Sequence, residues 1–207
     1  NGVDPEFRVI PQNELESLRQ KYTPSPETIC LLNVGGTHQR KNILTVLKVV
    51  ENLRSRGLSV CFWKAGGQFT NEHKAFITTH KLEQNIVHFG NPDKKTLIAL
   101  YNSADILLSP SLYEGFGLTI VEAMACGTPV ITSNLSSLPE VVGDAAILVE
   151  PLNVEAISDA VCQIKHDPVY CNQLVEKGLL RAKFFSWQEN AEQVAKVYEN
   201  LVLKKSL

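Results

Sequence analysis

The sequence has little that would support a metal centre, a disulfide framework or a membrane span. Its five cysteines are scattered, with no Cys-x-x-Cys pair, and its five histidines show no zinc-like spacing. No apolar run approaches the roughly 18–20 residues that cross a bilayer, and we expect no signal peptide. These absences predict reduced thiols, no transmembrane segment and a cytoplasmic location, with peripheral membrane contact of the full-length protein as a variant.

An excess of positive charge is also missing. Twenty Lys and Arg residues against 22 Asp and Glu residues give a formal charge of −2. This balance argues against a nucleic-acid binder, because such proteins neutralise backbone phosphates with surplus basic side chains. Any anion site must therefore be a local cluster of cations. With 207 residues, 44% of them apolar, the chain can bury a core as one large domain or two very small ones.

From residue 28 onward, short apolar runs alternate with amphipathic segments. The runs are continuous, which is typical of strands buried on both faces of a parallel sheet. The fold class is therefore α/β, a doubly wound, Rossmann-like parallel sheet whose ligand sits at the carboxyl ends of the strands. The predicted strands are 29–34, 58–63, 86–89, 105–108, 129–132 and 145–149. The predicted helices are 14–22, 43–53, 72–82, 94–104, 118–126, 153–165, 169–184 and 187–203.

The segment 109–151 carries the strongest chemical signal. Glu114 and Glu122 flank a Gly115-Phe116-Gly117 turn that directly precedes a predicted helix. Glycines let the backbone approach an anion, and a helix start presents free N–H groups, with Thr119 beside them. Glu122 lies on an otherwise apolar helix, where a carboxylate needs a partner; a solvated glutamate is the alternative. A phosphate between two carboxylates that grip hydroxyls describes a sugar nucleotide.

A second cluster lies between the first strand and the first helix. It begins with Gly35-Gly36 and contains the densest positive charge of the chain, Arg40 and Lys41. These cations can neutralise a diphosphate, lysine as a point charge and arginine as a fork. The alternative is two exposed cations near a helix start, where the dipole disfavours them. Phe89-Gly90, after the third strand, is a candidate for a nucleobase contact, with a plain core phenylalanine as the alternative.

These motifs resemble the retaining glycosyltransferases of family four, which have the GT-B fold. Residues 114–122 resemble the E-x7-E signature of that family. Agreement extends over nearly the whole chain, through NGVD at 1–4, RKN at 40–42, FG at 89–90, ALYNSADILLSPSLYEGFGLTIVEAMACGTPVI from 99 and FSW at 185–187. The resemblance implies the C-terminal, donor-binding half of such an enzyme. One departure is Gly36, where many members have arginine.

The resemblance also implies roles for individual residues. Lys41 corresponds to the lysine that binds the donor diphosphate, Glu114 to the glutamate near the donor sugar, and Glu122 to the glutamate that grips the ribose. Lys41 and Glu114 are the expected catalytic residues, and no metal ligand is expected. The expected donor-binding residues are Gly35, Gly36, Arg40, Lys41, Phe89, Gly90, Glu114, Gly115, Phe116, Gly117, Leu118, Thr119 and Glu122.

The implied activity is transfer of a sugar, with retention, from a nucleotide-diphosphate sugar to an acceptor hydroxyl, without a metal or other cofactor. The acceptor, a glycan, lipid or small molecule, would bind a missing N-terminal half, so the fragment alone would bind nucleotide without transferring sugar. The expected parts are an interdomain linker and lead-in (1–28), a nucleotide-sugar-binding domain (29–185) and a helix that docks toward the missing half (186–207). The alternatives are a non-catalytic sugar-nucleotide-binding or regulatory module, and a sugar-nucleotide epimerase, although epimerases typically lack the E-x7-E arrangement.

Overall fold

The computed structural model describes residues 1–11 and 15–204, and its central element is a six-stranded parallel sheet. The spatial order of the strands is β3-β2-β1-β4-β5-β6. The direction in which strands are added to the sheet therefore reverses between β1 and β4, which are neighbours at its centre. In folds of this class, ligands bind in the crevice outside the carboxyl ends of the strands at such a point. The predicted doubly wound parallel sheet is confirmed. The strands are β1 (Ile29–Gly35), β2 (Val60–Gly66), β3 (Ile86–Gly90), β4 (Ile106–Ser109), β5 (Val130–Ser133) and β6 (Ile147–Val149).

Helices cover both faces of the sheet. They are α1 (Glu16–Tyr22), α2 (Ile43–Ser55), α3 (Asn71–Thr79), α4 (Lys94–Ser103), α5 (Leu118–Ala125), α6 (Leu138–Val142), α7 (Val154–His166), α8 (Pro168–Ala182) and α9 (Trp187–Lys204). Apolar side chains of α2, α3 and α7 pack on one face, and those of α4, α5 and α6 pack on the other. Helix α8 contacts both α5 and α7 at the edge of the sheet.

The predicted elements are all present, with three differences worth noting. Helix α6 was not predicted, because five residues with a proline near the start carry too short a periodic pattern. Strand β2 continues through Lys64 to Gly66, beyond the predicted end at 63. Strand β6 begins two residues later than predicted. The first residue of the predicted helix 14–22 lies outside the described residues.

The ends of β1 and β2 approach each other too closely for side chains. A Cβ atom on Gly66 would lie 2.2 Å from the carbonyl oxygen of Gly35, and the φ of Gly66 is +104°. The N–H of Gly67 donates to the same carbonyl over 2.9 Å. The glycine pairs Gly35-Gly36 and Gly66-Gly67, at the carboxyl ends of the two strands, therefore form one tightly packed double turn.

The residues before β1 pack on the domain. Phe7 is buried in the core, and Lys94 of α4 forms ion pairs with Asp4 (2.8 Å) and Glu6 (2.6 Å). Arg19 of α1 donates to both carboxylate oxygens of Asp105, each over 2.9 Å. These contacts hold the lead-in against α4 and the start of β4, while its role as an interdomain linker stays a prediction.

Helix α9 exposes apolar side chains along its length, among them Val197, Tyr198 and Leu201. Its predicted docking on a missing half is untested, and 205–207 lie outside the described residues. All five cysteines are free, and three of them are buried. Among residues 1–11 and 15–204, no helix is both long enough and apolar enough to cross a membrane.

Candidate functional site

The loops that follow β1, β4 and β6 are held together by one buried side chain, that of Asn42. Its backbone is left-handed (φ 54°), which asparagine tolerates better than most residues. Its Nδ2 donates to the carbonyls of Pro110 (2.9 Å) and Pro151 (2.8 Å), and its Oδ1 accepts from Thr45 Oγ1 (2.8 Å). This amide therefore places the loop after β1 directly against the loop after β4.

Glu114 lies at the junction of these two loops and unites the predicted cations. Its Oε1 is 2.6 Å from the ammonium of Lys41, and its Oε2 is 2.7 Å from the guanidinium of Arg40. Ser111 Oγ donates to Oε1 over 2.9 Å. The side chains of Lys41 and Glu114 are 12% and 9% exposed, whereas Arg40 is 47% exposed. The sequence clusters around residues 40 and 114 thus form one charged centre.

The charge state of Glu114 follows from these contacts. Burial alone would raise its pKa, but the hydrogen bond and charge of Lys41, together with hydrogen bonds from Ser111 and Arg40, lower the pKa below the ordinary value. The carboxylate is therefore ionised at neutral pH. In the absence of another anion it is the shared counter-ion of the two cations beside it, and one net positive charge remains.

The turn after Glu114 presents a row of unused donors. Within the described part of the chain, the backbone N–H groups of residues 115–119 donate to no acceptor. Gly117, with φ +104°, is the residue before α5, and a Cβ atom there would lie 2.9 Å from Leu138. Ser137 Oγ braces the turn by donating to the carbonyls of Glu114 (2.8 Å) and Phe116 (3.2 Å). A braced row of free N–H groups at a helix start is a favourable place for an anion.

Glu122 has a protein partner. Its Oε2 accepts a hydrogen bond from Tyr101 Oη of α4 over 2.8 Å, while Oε1 accepts none from the described residues. Burial raises the pKa of Glu122, the Tyr101 hydrogen bond opposes this, and the charge of Asp4 adds to it. The partner that its apolar helix requires is thus a tyrosine, and Glu122 makes no contact with the charged centre at Glu114. Its predicted contact with a ribose stays a prediction.

Phe89 packs in an aromatic cluster. Its ring centroid lies 5.0 Å from that of Tyr22 and 5.5 Å from that of Trp63, both edge to face. The side chain is half-buried and packs against the core, and its contact with a nucleobase stays a prediction. Gly90 follows with φ +63° and open space around its Cα, two strands away from β1 in the sheet.

Lys64 is a further cation near the site that the sequence did not lead us to predict. It is fully buried near the end of β2, and its ammonium donates to the carbonyls of Gly35 (2.6 Å) and Ala65 (2.8 Å). The signal was available, because a lysine stands inside an otherwise apolar strand, two residues before a glycine pair. Burial, and then the charge of Lys41, lower the pKa of Lys64 to about 8. A third cation therefore lies below the double-glycine turn.

The arrangement suits a polyanion with hydroxyl groups. Lys41, Arg40 and the free N–H groups of residues 115–119 offer positive charge and donors along one edge of the sheet. Glu114 offers a carboxylate that can accept from hydroxyls once an anion takes over its cations. Leu118 and Thr119 begin the helix whose dipole adds to this positive field.

Comparisons with known proteins agree with this geometry. A family model described as "Glycosyl transferases group 1" matches residues 15–181. The O-antigen chain mannosyltransferase B of Escherichia coli is 43% identical over 116 residues, covering 56% of this chain and 30% of that protein. The matched segment thus spans less than a third of the length of that curated relative.

Solved structures extend the likeness to almost the whole chain. Sucrose-phosphate synthase from Thermosynechococcus elongatus superposes with a TM-score of 0.83 at 26% identity, over 98% of this chain and 52% of that one. HepE of Anabaena, solved in complex with UDP and glucose, superposes with a TM-score of 0.86 at 19% identity, over 96% and 55%. The matched portion is in each case about half of the longer protein. With the family model covering most of its length, the chain belongs to the glycosyl transferases of group 1 and has the Rossmann-like fold of one half of a GT-B protein.

Proposed function

We propose that this chain is the donor-binding half of a retaining glycosyltransferase and that it binds a nucleotide-diphosphate sugar at the ends of β1 and β4. The observation that carries the proposal is the Lys41–Glu114–Arg40 cluster beside five free N–H groups. Family membership, the mannosyltransferase relative and the UDP held by HepE support a sugar nucleotide as the ligand.

Binding proceeds as an exchange of anions. The diphosphate replaces Glu114 as the counter-ion of Lys41 and Arg40, and its remaining oxygens accept from the N–H groups of residues 115–119. Glu114, released from its cations, turns its lone pairs to the hydroxyls of the donor sugar. The turn 115–118 then borders the sugar and the phosphate together.

Transfer depends on stabilising charge on the leaving group. As the bond between the sugar and the diphosphate breaks, negative charge grows on the diphosphate oxygen. Lys41 and the start of α5 are fixed beside that oxygen before the reaction, so they need no reorganisation. We therefore propose that transfer requires neither a metal ion nor another cofactor. Catalysis by Lys41 and Glu114 is part of the same proposal.

The acceptor, a glycan, lipid or small molecule, is proposed to bind the portion of the full-length protein that this chain does not cover. The chain alone is then expected to bind nucleotide without transferring sugar. Five free cysteines support placing the protein in the reducing cytoplasm, where peripheral contact with a membrane is compatible with a lipid acceptor.

Two assays test the proposal. Calorimetric titration of the chain with uridine, guanosine and adenosine diphosphates is expected to give binding to one of them, and to none of the matching nucleosides at the same concentration. The full-length protein, incubated with donor sugars and candidate acceptors in the presence of a chelator, is expected to release nucleotide only when an acceptor is present. Binding without release under any combination would favour a non-catalytic module, and absence of binding would refute the donor site.

A further inference from the structure

Lys64 is a buried cation that has no carboxylate partner among the residues that the structure describes. Its side chain has no exposure, and its ammonium donates only to the carbonyls of Gly35 and Ala65. Within residues 1–11 and 15–204, none of the ion pairs involves Lys64. A buried ammonium that lacks an anion is costly, and backbone carbonyls compensate it only in part. The position therefore requires an explanation beyond packing.

The lysine lies directly below the charged centre. Gly35 accepts from Lys64 Nζ over 2.6 Å, and a Cβ atom on Gly35 would lie 3.4 Å from Cε and Nζ of Lys41. Both ammonium groups therefore lie beside the same glycine. Of these two lysines, only Lys41 has a carboxylate partner among the described residues, Glu114. Lys64 has backbone carbonyls as its partners instead.

We propose that Lys64 is a positioning residue of the donor site, which fixes the carbonyl of Gly35 and supplies buried positive charge whose counter-ion is the donor diphosphate. This inference rests on the proposed function, because it assumes that an anion binds above Gly35. Lys64 acts on the diphosphate indirectly, by holding the peptide of Gly35 and by the electrostatic attraction of its charge. Lys41 acts on the diphosphate by direct contact.

The proposal has a measurable consequence in protons. Because the pKa of Lys64 is lowered to about 8, a fraction of the empty protein carries a neutral amine near that pH. A bound anion near Gly35 favours the ammonium form of Lys64. Binding at a pH of about 8 is therefore expected to add roughly half a proton to Lys64, whereas near pH 6 Lys64 is already protonated and takes up almost none.

Other titratable groups surround Lys64 and must be distinguished from it. Lys41 lies above it, with Glu114 as its partner, and His88 pairs with it in register on β3. His73 of α3 also feels its charge, but burial lowers the pKa of His73 below 6.5, outside the window around pH 8. His88→Gln is therefore the control for a histidine origin of the proton.

The experiment is calorimetric titration with uridine diphosphate and guanosine diphosphate, in buffers of different ionisation enthalpy, at pH of about 6 and 8. Lys64→Met is expected to weaken diphosphate affinity by about tenfold at neutral pH and to abolish proton uptake near pH 8. The exposed Lys48→Met is expected to keep both properties. His88→Gln is expected to keep the proton uptake; this control compares proton uptake alone, because His88 bonds Gly67 and Gly90. Thermal melts accompany each variant.

The outcomes separate two failures. If the wild-type chain binds neither diphosphate, the donor site itself is refuted and this inference with it. If the wild type binds but takes up no proton near pH 8, only the role of Lys64 is overturned, even where Lys64→Met does not fold. Unchanged affinity and unchanged uptake in a folded Lys64→Met variant overturn it as well.

Discussion

Substitution of Lys41 by methionine separates the structural role of the charged centre from its binding role. The ammonium and Glu114 lie 2.6 Å apart with both side chains nearly buried. Removing one partner of a buried pair costs about 3–5 kcal/mol, since the remaining charge is left uncompensated. Here Arg40 and Ser111 still bond the carboxylate, so we expect about half of that loss, ~2 kcal/mol. For a chain of this size that corresponds to a melting temperature lower by about 4–8 °C.

Under the proposed function, the same substitution also removes one charge-assisted hydrogen bond to the diphosphate. Such bonds contribute about 1.5–3 kcal/mol, so the dissociation constant for the bound nucleotide is expected to rise by roughly 10- to 100-fold. Urea denaturation measures the first effect and calorimetric titration the second. Lys48→Met, at an exposed position of α2, is expected to change neither.

The decisive variant combines Lys41→Met with Glu114→Gln. With the carboxylate charge gone, neither position of this pair holds an uncompensated buried charge, and most of the lost free energy of unfolding is expected to return. Affinity for the diphosphate is expected to stay low, because the ammonium is still absent. Recovery of affinity in the double variant, or full stability of Lys41→Met alone, would refute the reasoning that Lys41 serves both the loop and the ligand.

Two further predictions concern the stability of the same edge of the sheet. The pKa of Glu114 is lowered in the folded protein, so its ionised form stabilises the fold at pH values above the ordinary carboxyl pKa of 4.5. This contribution is lost as the pH falls through the lowered pKa. The urea midpoint of the wild type is therefore expected to fall more at acid pH than that of Glu114→Gln. Gly66→Ala is expected to lower the free energy of unfolding by about 3 kcal/mol or more, since its Cβ would meet the carbonyl of Gly35. Gly57→Ala, also at positive φ but in open space, is the matched control and should cost about 1 kcal/mol. Equal losses at the two glycines would contradict the close approach of the turns.

Much of the fold could be predicted because local patterns decide it. Each of the six strands is a short apolar run bounded by glycine, proline or polar residues, and each long helix has apolar residues at helical spacing. The end of β2 was the exception. A lysine inside a buried strand contradicts the apolar pattern, so the prediction stopped at residue 63, whereas two backbone carbonyls allow Lys64 to remain in the sheet.

The site was only partly predictable because its key contacts join distant segments. Residue types at 40, 41 and 114 indicated anion and hydroxyl chemistry, but nothing local pairs Arg40 and Lys41 with a carboxylate more than 70 residues away. The same holds for Glu122. Its apolar helix indicated that the carboxylate needs a partner, but that this partner is Tyr101 depends on how α4 packs against α5. Phe89 shows the converse, because a strand-end aromatic is equally compatible with a ligand or with the core.

The single amide at Asn42 also bears on protein engineering. Asn42 lies in the loop after β1, and its Nδ2 donates to carbonyls in the loops after β4 and β6. This one buried side chain therefore connects three surface loops. Exchanging the loop after β4 for that of another family member therefore has to keep the Pro110 carbonyl within reach of Asn42, and it also has to keep the contacts of Leu112 and Glu114 with the loop after β1. A graft that shifts the carbonyl at Pro110 is expected to disturb the loops after β1 and β6 as well, so the three loops are not independent units for exchange.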